Sequence, residues 1–401
     1  MIYDALVIGG GPAGATTAWL LAHAGWSVVL LEKASFPRRK VCGEFISATT
    51  LPLLQVLGLD EMFLAMSGPP VREVGLYAGS HIQTAPMPVN HKVDTGWGRA
   101  LGREHLDYIL LNGAKRAGVD VIQSCSATGL TRDKGILICT AERFDPDTKI
   151  EVQARVIIAA HGSWEKGNLP THISRQKPEP SDLLGFKAHF TQTELPIDLM
   201  PLLAFPGGYG GMVNTDHGRM SLSCCIRRDM LQQCRGESDT YHRAGDAVLA
   251  HIMKNCEGVQ RALQRAQTQG PWLSAGPIQP GIRTLYKDGI FAAGNAAGEA
   301  HPVVAEGISM AMQGAWLLAE LLIARRTQIL CGNINEIGRV YTQAWRRYFA
   351  PRLHISAIFA HLAMRPTATK ILLPMFQHIP VLLTICSRFS GKTTKIVPVY
   401  P

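Results

Sequence analysis

Residues 4–32 constrain the fold more than any other part of the chain. Their sequence is DALVIGGGPAGATTAWLLAHAGWSVVLLE. The apolar run over 5–8 predicts a short buried strand, residues 13–24 predict a helix, and residues 28–31 predict a second strand. A strand, a glycine turn, a helix and a second strand together form one βαβ unit.

The glycine turn of this unit has the GxGxxG spacing where the first strand gives way to the helix. Gly9 permits the tight turn, Gly11 lets the backbone approach a pyrophosphate, and Gly14 lets the helix pack close to the strand. The pyrophosphate would lie on the amide groups at the positive end of the helix. Glu32 ends the second strand, where a carboxylate accepts hydrogen bonds from a ribose diol. The segment therefore predicts a dinucleotide site.

Composition limits the remaining possibilities. The chain has 401 residues, of which 46% are hydrophobic and 18% charged, so it can bury the cores of about two interleaved domains. The first strand follows Met1 almost at once and leaves no room for a signal peptide, which predicts a cytoplasmic location. The nine cysteines show no metal-ligand spacing, and their odd number argues against a disulfide framework. We expect reduced thiols and no metal.

The formal charge of +9 is concentrated in the C-terminal part. From residue 331 onward, nine basic residues accompany a single acid, Glu336. Basic residues beside the apolar runs 371–375 and 381–385 predict either a peripheral membrane contact or a solvated helix edge. Pro374 and Pro380 interrupt the longest apolar stretch, which argues against a spanning helix. Since no nucleic-acid motif or stacking pattern is present, we expect no nucleic-acid partner.

Hydrophobic periodicity divides the chain between two domains. Residues 126–160 are typical of a β-meander whose last strand, 155–160, returns to the nucleotide-binding sheet. Short alternating strands within 180–275 predict an inserted antiparallel sheet, followed by a helical stretch over 239–266. The predicted segments are nucleotide-binding parts at 1–75, 101–175 and 276–330, substrate-domain parts at 76–100 and 176–275, and a basic helical region at 331–401.

A second glycine site lies in residues 289–322, GIFAAGNAAGEAHPVVAEGISMAMQGAWLLAELL. A strand is followed by a turn at Gly294 and Asn295, a break at Pro302 and a helix start at Gly307. This run resembles the second FAD fingerprint of flavoprotein oxidoreductases with the para-hydroxybenzoate hydroxylase fold.

Three further segments resemble the same superfamily: GGGPAG, Arg103 within LGREHLD, and IIAAHGS at 157–163. The loop 36–47, FPRRKVCGEFIS, is most similar to the geranylgeranyl reductase and FixC-like branch, and it also resembles flavin-dependent halogenases. The resemblance spans residues 1 to about 325.

The resemblance implies an α/β fold, in which a Rossmann-like FAD-binding domain of the GR2 type carries an inserted antiparallel β-sheet substrate domain and a helical C-terminal region. It also implies FAD as the cofactor. The residues expected to bind it are Gly9, Gly11, Pro12, Ala13, Gly14, Glu32, Lys33, Cys42, Gly43, Arg103, Gly294, Asn295, Gly307 and Ile308.

Family roles carry over to particular residues. Arg103 would contact the cofactor phosphates or ribityl chain, and the amides of Gly307 and Ile308 would stabilise the anionic reduced flavin. Asn295 stands where the family has Asp, but an amide can still exchange hydrogen bonds with a ribityl hydroxyl. His161 replaces the Asp of the family's DG motif. The electron donor therefore stays open between NADPH or NADH and a separate reductase or quinone.

Cys42 and His301 are the candidate catalytic residues. Arg38, Arg39 and Lys40 precede Cys42 and could lower the pKa of its thiol, which would make it reactive. The favoured alternative is a thiol that packs a tight loop while the arginines face solvent. His301 would either shuttle a proton beside the flavin or serve as a hydrogen-bonded structural residue.

Other polar positions have simpler expected roles. We expect His161 to be a structural turn residue and Glu306 to cap the helix that starts at Gly307. Lys187, Arg227 and Arg228 are expected to face solvent. Six residues of the inserted sheet would either line an apolar cavity over the flavin or belong to the sheet's own core. They are Phe186, His189, Phe205, Tyr209, Met212 and Trp272.

The resemblance implies an FAD-dependent oxidoreductase that acts on a hydrophobic small molecule. The leading hypothesis is a monooxygenase that hydroxylates an aromatic, quinone, polyketide or isoprenoid-type substrate. The CGE loop favours an alternative, a reductase that saturates isoprenoid double bonds. An electron-transfer flavoprotein that delivers electrons to a quinone at the membrane is a third hypothesis. A halogenase is disfavoured because no tryptophan-containing motif with its lysine is found.

Overall fold

The computed structural model describes residues 1–89, 96–144, 148–163, 169, 171–172, 177–236 and 243–392. The strands are β1 (Ile2–Ile8), β2 (Val28–Leu31), β3 (Phe45–Ile46), β4 (Glu73–Ala78), β5 (His81–Pro86), β6 (Arg99–Ala100), β7 (Asp120–Ile122), β8 (Cys125–Asp133), β9 (Ile136–Arg143), β10 (Lys149–Ala159), β11 (Leu183–Thr191), β12 (Leu199–Phe205), β13 (Gly208–Asn214), β14 (Met220–Arg227), β15 (Gln267–Ile278), β16 (Gly281–Ile282), β17 (Tyr286–Lys287), β18 (Ile290–Ala292) and β19 (Gly298–Glu299).

The helices are α1 (Pro12–His23), α2 (Leu51–Val56), α3 (Asp60–Met66), α4 (Arg103–Arg116), α5 (Arg228–Gly236), α6 (Ala244–Asn255), α7 (Glu257–Ala262), α8 (Gly307–Ala324), α9 (Arg326–Leu330), α10 (Ile334–Ala363), α11 (Pro366–His378) and α12 (Val381–Ser387). Short 3-10 turns lie at Ala48–Thr50, Asp216–Gly218, Gly294–Ala296 and Pro302–Val304, and a π turn covers Arg388–Lys392.

The nucleotide-binding sheet has the strand order β17-β18-β10-β1-β2-β7, with β8 and β9 attached through β10. Strands β18, β10, β1, β2 and β7 are parallel, so β10 returns beside β1 as predicted. Alternate residues of β1 pack against two different layers. Val7 packs with helices α1, α4 and α8, whereas Leu6 packs with the β8–β9 meander. Both faces of β1 and β2 are covered, which explains their unbroken apolar runs.

The substrate sheet has seven strands in the order β15-β11-β14-β13-β12-β4-β5. The antiparallel sheet predicted within 180–275 is confirmed, and β4, from outside that range, adds one parallel pair beside β12. Strand β4 comes from the segment before α4, so it joins this sheet by a crossover rather than by a hairpin. The predicted helical stretch 239–266 corresponds to α6 and α7, and its first residues, up to 242, lie outside the described part of the chain.

The two faces of the substrate sheet differ. Phe186, Ala188 and Leu222 point toward α6 and α7 and form a separate apolar core. Their neighbours in sequence, on the opposite face, point toward the first domain. The cavity between the two domains is walled on one side by residues of β12, β13 and β14.

The C-terminal region packs on both domains. Tyr341 in α10 donates a 2.7 Å hydrogen bond to the carbonyl oxygen of Ala292. Leu373 of α11 and Leu383 of α12 are buried against the substrate sheet. Among the described helices, α8 is apolar and long enough to cross a membrane, but 67% of it is buried in the core. Helix α11 and residues 381–392 pass the same test together, with a bend of 114° between them.

Candidate active site

One cavity collects the motifs that the sequence singled out. Of the fourteen residues expected to bind the cofactor, thirteen line it, and Gly14 alone does not. The candidate catalytic residues Cys42 and His301 line it as well. Segments from four distant parts of the chain therefore meet around one space between the two sheets.

The glycines of the first turn have different roles, in packing or beside the cavity. Gly9 has a φ of +104°, which favours glycine. A Cβ atom on Gly14 would lie 1.8 Å from the carbonyl oxygen of Gly9, so Gly14 permits the close approach of helix and strand. A Cβ on Gly11 would meet nothing nearer than the Arg103 guanidinium at 3.8 Å. The backbone at Gly11 thus borders open space in the cavity, as a close approach to phosphate requires.

Two guanidinium groups flank this open space. Arg103 makes a forked contact to Asp107, with both nitrogen–oxygen distances at 2.7 Å. Arg38 lies 3.3 Å from Asp107 and 3.5 Å from Glu32. The Nε atom of Arg38 is buried and has no hydrogen-bond partner within the described residues. Two positive groups beside exposed backbone amides fit the pyrophosphate of a dinucleotide.

Arg38 was not predicted as a binding residue. The expectation that the arginines before Cys42 face solvent is wrong, because the side chain of Arg38 is 13% exposed and Arg39 bonds His189 at 2.9 Å. The signal in the sequence was the basic run directly after the acid that ends β2. The run did not predict a binding role for Arg38, because a solvated loop has the same basic pattern.

The carboxylate of Glu32 is anchored where the ribose was expected. One oxygen accepts a 2.7 Å hydrogen bond from the amide of Gly10, and the other accepts a 2.9 Å bond from the amide of Ala34. A carboxylate has about four acceptor positions, so capacity remains for a diol. Glu32 lines the cavity beside Lys33.

The second glycine turn places Asn295 beside a buried acid. Its side-chain amide donates a 2.9 Å hydrogen bond to Glu299. Burial raises the pKa of Glu299, and Arg283 partly offsets this effect from 3.2 Å. The amide at position 295 therefore serves Glu299, which an aspartate in the same place would repel.

Glu306 does not cap α8 through its side chain as expected. It occupies the N-cap position without a capping hydrogen bond, and its carboxylate lies 3.1 Å from the ammonium group of Lys392. Lys392 also donates a 2.7 Å bond to the carbonyl oxygen of Val304. The end of the described C-terminal region is thus tied to the turn before Gly307 and Ile308.

A buried charge cluster joins the loop 38–44 to the substrate sheet. Glu44 contacts both Lys187 and His189, and the bond to His189 is 2.8 Å long. The prediction that Lys187 faces solvent is wrong: its side chain is 0% exposed, because β11 turns that face toward the loop. Burial would raise the pKa of Glu44, but His189 and Lys187 outweigh it and lower the pKa to about 2.

The other two cations expected to face solvent are partly exposed and held in ion pairs. Arg227 pairs with Asp229, and Arg228 pairs with Asp182 at 3.0 Å, both near the surface.

Cys42 accepts a 3.4 Å hydrogen bond from the amide of Glu44. This thiol both lines the cavity and braces the loop, so its reactivity stays a prediction.

Tyr209 and His301 form a hydrogen-bonded pair on the cavity wall. The hydroxyl oxygen of Tyr209 lies 3.1 Å from Nδ1 of His301. Burial, with a smaller contribution from His361, lowers the pKa of His301 to about 4. Burial raises the pKa of Tyr209 well above its usual range. Near neutral pH the pair is therefore an uncharged imidazole and a protonated phenol.

The six sheet residues proposed for the cavity separate into two groups. Tyr209 and Met212 line the cavity. Phe186, Phe205 and Trp272 pack on the side of α6 and α7, and His189 belongs to the buried charge cluster. Met212 also packs in the core on the side of α6 and α7, on the opposite face of β13 from Tyr209.

His161 also lines the cavity. Its Nε2 atom lies 2.8 Å from the hydroxyl of Thr171, and its ring meets His172 edge to face. Burial, followed by His172, lowers the pKa of His161 to about 4. Its neutral ring is held in place by these contacts, in keeping with the expected structural role, which stays a prediction.

Comparison with known proteins gives three kinds of similarity. Residues 2–328 match the family described as FAD binding domain. The chain is 28% identical over 354 residues to digeranylgeranylglycerophospholipid reductase 2 of Methanopyrus kandleri, covering 86% of this chain and 78% of that protein. It is 27% identical over 356 residues to conditioned medium factor receptor 1 of Dictyostelium discoideum, covering 80% of this chain but only 63% of that protein.

A solved structure shares the fold. The myxobacterial chondrochloren halogenase superposes with a TM-score of 0.77 at 20% identity, covering 97% of this chain and 91% of that chain.

Proposed function

We propose that this chain, which belongs to the FAD binding domain family, reduces a carbon–carbon double bond of a hydrophobic, isoprenoid-type substrate. The family makes the chain an FAD-dependent oxidoreductase. The substrate class and the direction of the reaction are the proposal. The similarity to an archaeal digeranylgeranylglycerophospholipid reductase supports both.

The Tyr209–His301 pair carries the proposal. When bound and reduced, FAD supplies a hydride. Saturation of a double bond also needs a proton at the second carbon. Tyr209 is protonated near neutral pH and lines the same cavity as Gly307 and Ile308. With its proton on Nδ1, the neutral His301 would donate to the Tyr209 oxygen, and the phenol O–H would then lie between the Cys225 thiol beside it and a substrate in the cavity.

The cavity walls suit an apolar ligand. Met200, Leu202, Met212 and Ile278 line it along the substrate sheet. A few polar groups in an otherwise apolar wall are typical of a site for a hydrophobic small molecule.

The test is a single-turnover reaction without oxygen. The reduced enzyme is mixed with a geranylgeranyl lipid, and flavin reoxidation and the mass of the product are measured. We expect the product to gain two hydrogens, and Tyr209→Phe to slow its formation by roughly 10²-fold or more. Tyr341→Phe is the matched control, since Tyr341 is equally buried and bonds a backbone carbonyl away from the cavity.

Two results would contradict the proposal. One is a wild-type enzyme that leaves the lipid unchanged while its flavin is reduced. The other is equal rates for Tyr209→Phe and Tyr341→Phe, because removing the group that protonates the substrate must slow product formation.

The second candidate is the monooxygenase that the sequence placed first. The hydrogen-bonded Tyr209–His301 pair favours it, since the two side chains would hold the hydroxyl of a phenolic substrate in place on the cavity wall. This candidate predicts that turnover requires oxygen and that labelled oxygen enters the product. Anaerobic addition of NADPH or NADH also addresses the electron donor, because bleaching of the flavin band would identify a direct nicotinamide donor.

A further inference from the structure

We propose that α11, α12 and the π turn after them form a docking edge for the surface of an anionic lipid bilayer. The docking edge consists of six exposed side chains: Ile371, Met375, Ile379, Val381, Ile385 and Phe389. The inference goes beyond the reaction proposed above and does not depend on it.

Exposed apolar side chains are concentrated at this edge. Of the eighteen large hydrophobic side chains exposed in the described residues, six lie between positions 371 and 389. Ile371 is 76% exposed and Phe389 is 63% exposed. Six exposed apolar side chains within nineteen residues exceed the one or two found in stretches of that length elsewhere on the described surface, and such a concentration marks an interaction surface.

The docking edge belongs to ordered helices. Ile371 and Met375 are four residues apart on α11, and Val381, Ile385 and Phe389 repeat the same interval from α12 into the π turn. Leu373 and Leu383 on the inner faces anchor both helices to the substrate sheet. The outer rows are therefore held outward by a packed inner face.

The charges around the docking edge indicate which partner it binds. No acidic residue follows Glu336, and Arg365, Lys370 and Arg388 are exposed beside the docking edge. A twofold interface would place the same positive patch of two copies face to face, which repels. A bilayer with anionic head groups attracts such residues by about 1 kcal/mol each and accepts the apolar rows between them.

The docking edge is linked to the cavity. The π turn ends at Lys392, whose ammonium group bonds Glu306 and the Val304 carbonyl and lies 5.2 Å from the Phe45 ring centre. Glu306 directly precedes the Gly307 turn on the cavity wall. A protein lying on lipid by this edge would therefore bring its cavity close to substrates dissolved in the bilayer.

The test is flotation of the purified, FAD-loaded protein with lipid vesicles. Vesicles of phosphatidylcholine mixed with phosphatidylglycerol are compared with vesicles of phosphatidylcholine alone. We expect flotation with the anionic vesicles, which weakens as salt is raised. The double variant Ile371→Asp, Phe389→Asp should lower the partition coefficient about tenfold or more, since each buried side chain of this size contributes substantially.

The matched control is Ile197→Asp, Phe144→Asp, because these residues are 70% and 64% exposed and lie elsewhere. It should float like the wild type. The proposal is overturned if the wild type stays with the soluble fraction, or if both double variants behave alike. It is also overturned if Ile371→Asp, Phe389→Asp converts a dimer into a monomer in light scattering, which would make the edge an interface between copies. Since flotation does not measure turnover, failure of the proposed reaction leaves this result intact.

Discussion

The two halves of the cavity are built in different ways. On the cofactor half, the turns at Gly11 and Gly307 present backbone atoms, and each turn lies within one short run of sequence. On the substrate half, Glu44 meets Lys187 and His189 across about 140 residues of chain. Local sequence shapes the first half, whereas side chains from separate segments assemble the second.

This difference predicts how each half fails. A backbone cradle is damaged by adding atoms, because no side chain there can be removed. A buried charge cluster is damaged by removing one member, because the remaining charges lose their partners.

The largest effect is expected on the substrate half. Lys187→Met leaves Glu44 buried without its ammonium partner and should lower the free energy of unfolding by about 3–5 kcal/mol. Lys149→Met is the control, since its ammonium lies 3.7 Å from Glu142 in an exposed pair and should change stability by about 0–1 kcal/mol. Urea denaturation measures both. Similar values for the two variants would show that the cluster does not hold the halves together.

The same cluster predicts a loss of stability in acid. The pKa of Glu44 is lowered from 4.5 to about 2, so its contribution is fully present above its unfolded pKa and is lost as pH falls through the folded one. The loss should be on the order of 3 kcal/mol. Melting temperatures of wild type and Glu44→Gln should therefore converge as the pH falls to about 2 and below. A constant difference at every pH would contradict this assignment.

The cofactor half gives a contrast within one turn. Gly14→Ala forces a methyl group against the Gly9 carbonyl and should cost about 1–3 kcal/mol of stability. Gly11→Ala meets open space, so it should cost the FAD-free protein less than Gly14→Ala does, since only the preference for glycine over alanine at the N-cap of α1 is lost. Its methyl group would instead occupy the cradle and weaken FAD retention. Unfolding without FAD and absorbance of the purified protein separate the two, and an unchanged flavin content in Gly11→Ala would refute the cradle.

The smallest effect concerns Asn295. Restoring the family's aspartate removes the bond to Glu299 and opposes two carboxylates, which should cost about 1 kcal/mol more than a neutral loss. Asn255→Asp is the control, since that amide donates a 2.9 Å bond to the backbone carbonyl oxygen of His251 rather than to a carboxylate. If Asn295→Asp were more stable than the wild type, Glu299 would have to be protonated, since a protonated carboxyl can donate a hydrogen bond to the new aspartate.

Sequence reasoning succeeded where the structure is local. The βαβ unit, the return of the strand over 155–160 and the convergence of Gly11, Arg103 and Gly307 all follow from short motifs. It failed for Lys187, which reads as a solvent-facing cation in an alternating strand. The strand's period indicates that alternate residues share a face but not which face is covered.

The amino-acid sequence by itself determined the family, the FAD-binding fold and the position of both glycine turns, because each depends on backbone geometry that neighbouring residues dictate. Only the tertiary structure decided that Arg38 flanks the open space at Gly11, that Tyr209 meets His301, and that Lys392 reaches Glu306. Each of these contacts joins segments that are distant in the chain. Their partners become known only when packing of the two sheets and the C-terminal helices brings them into one buried space.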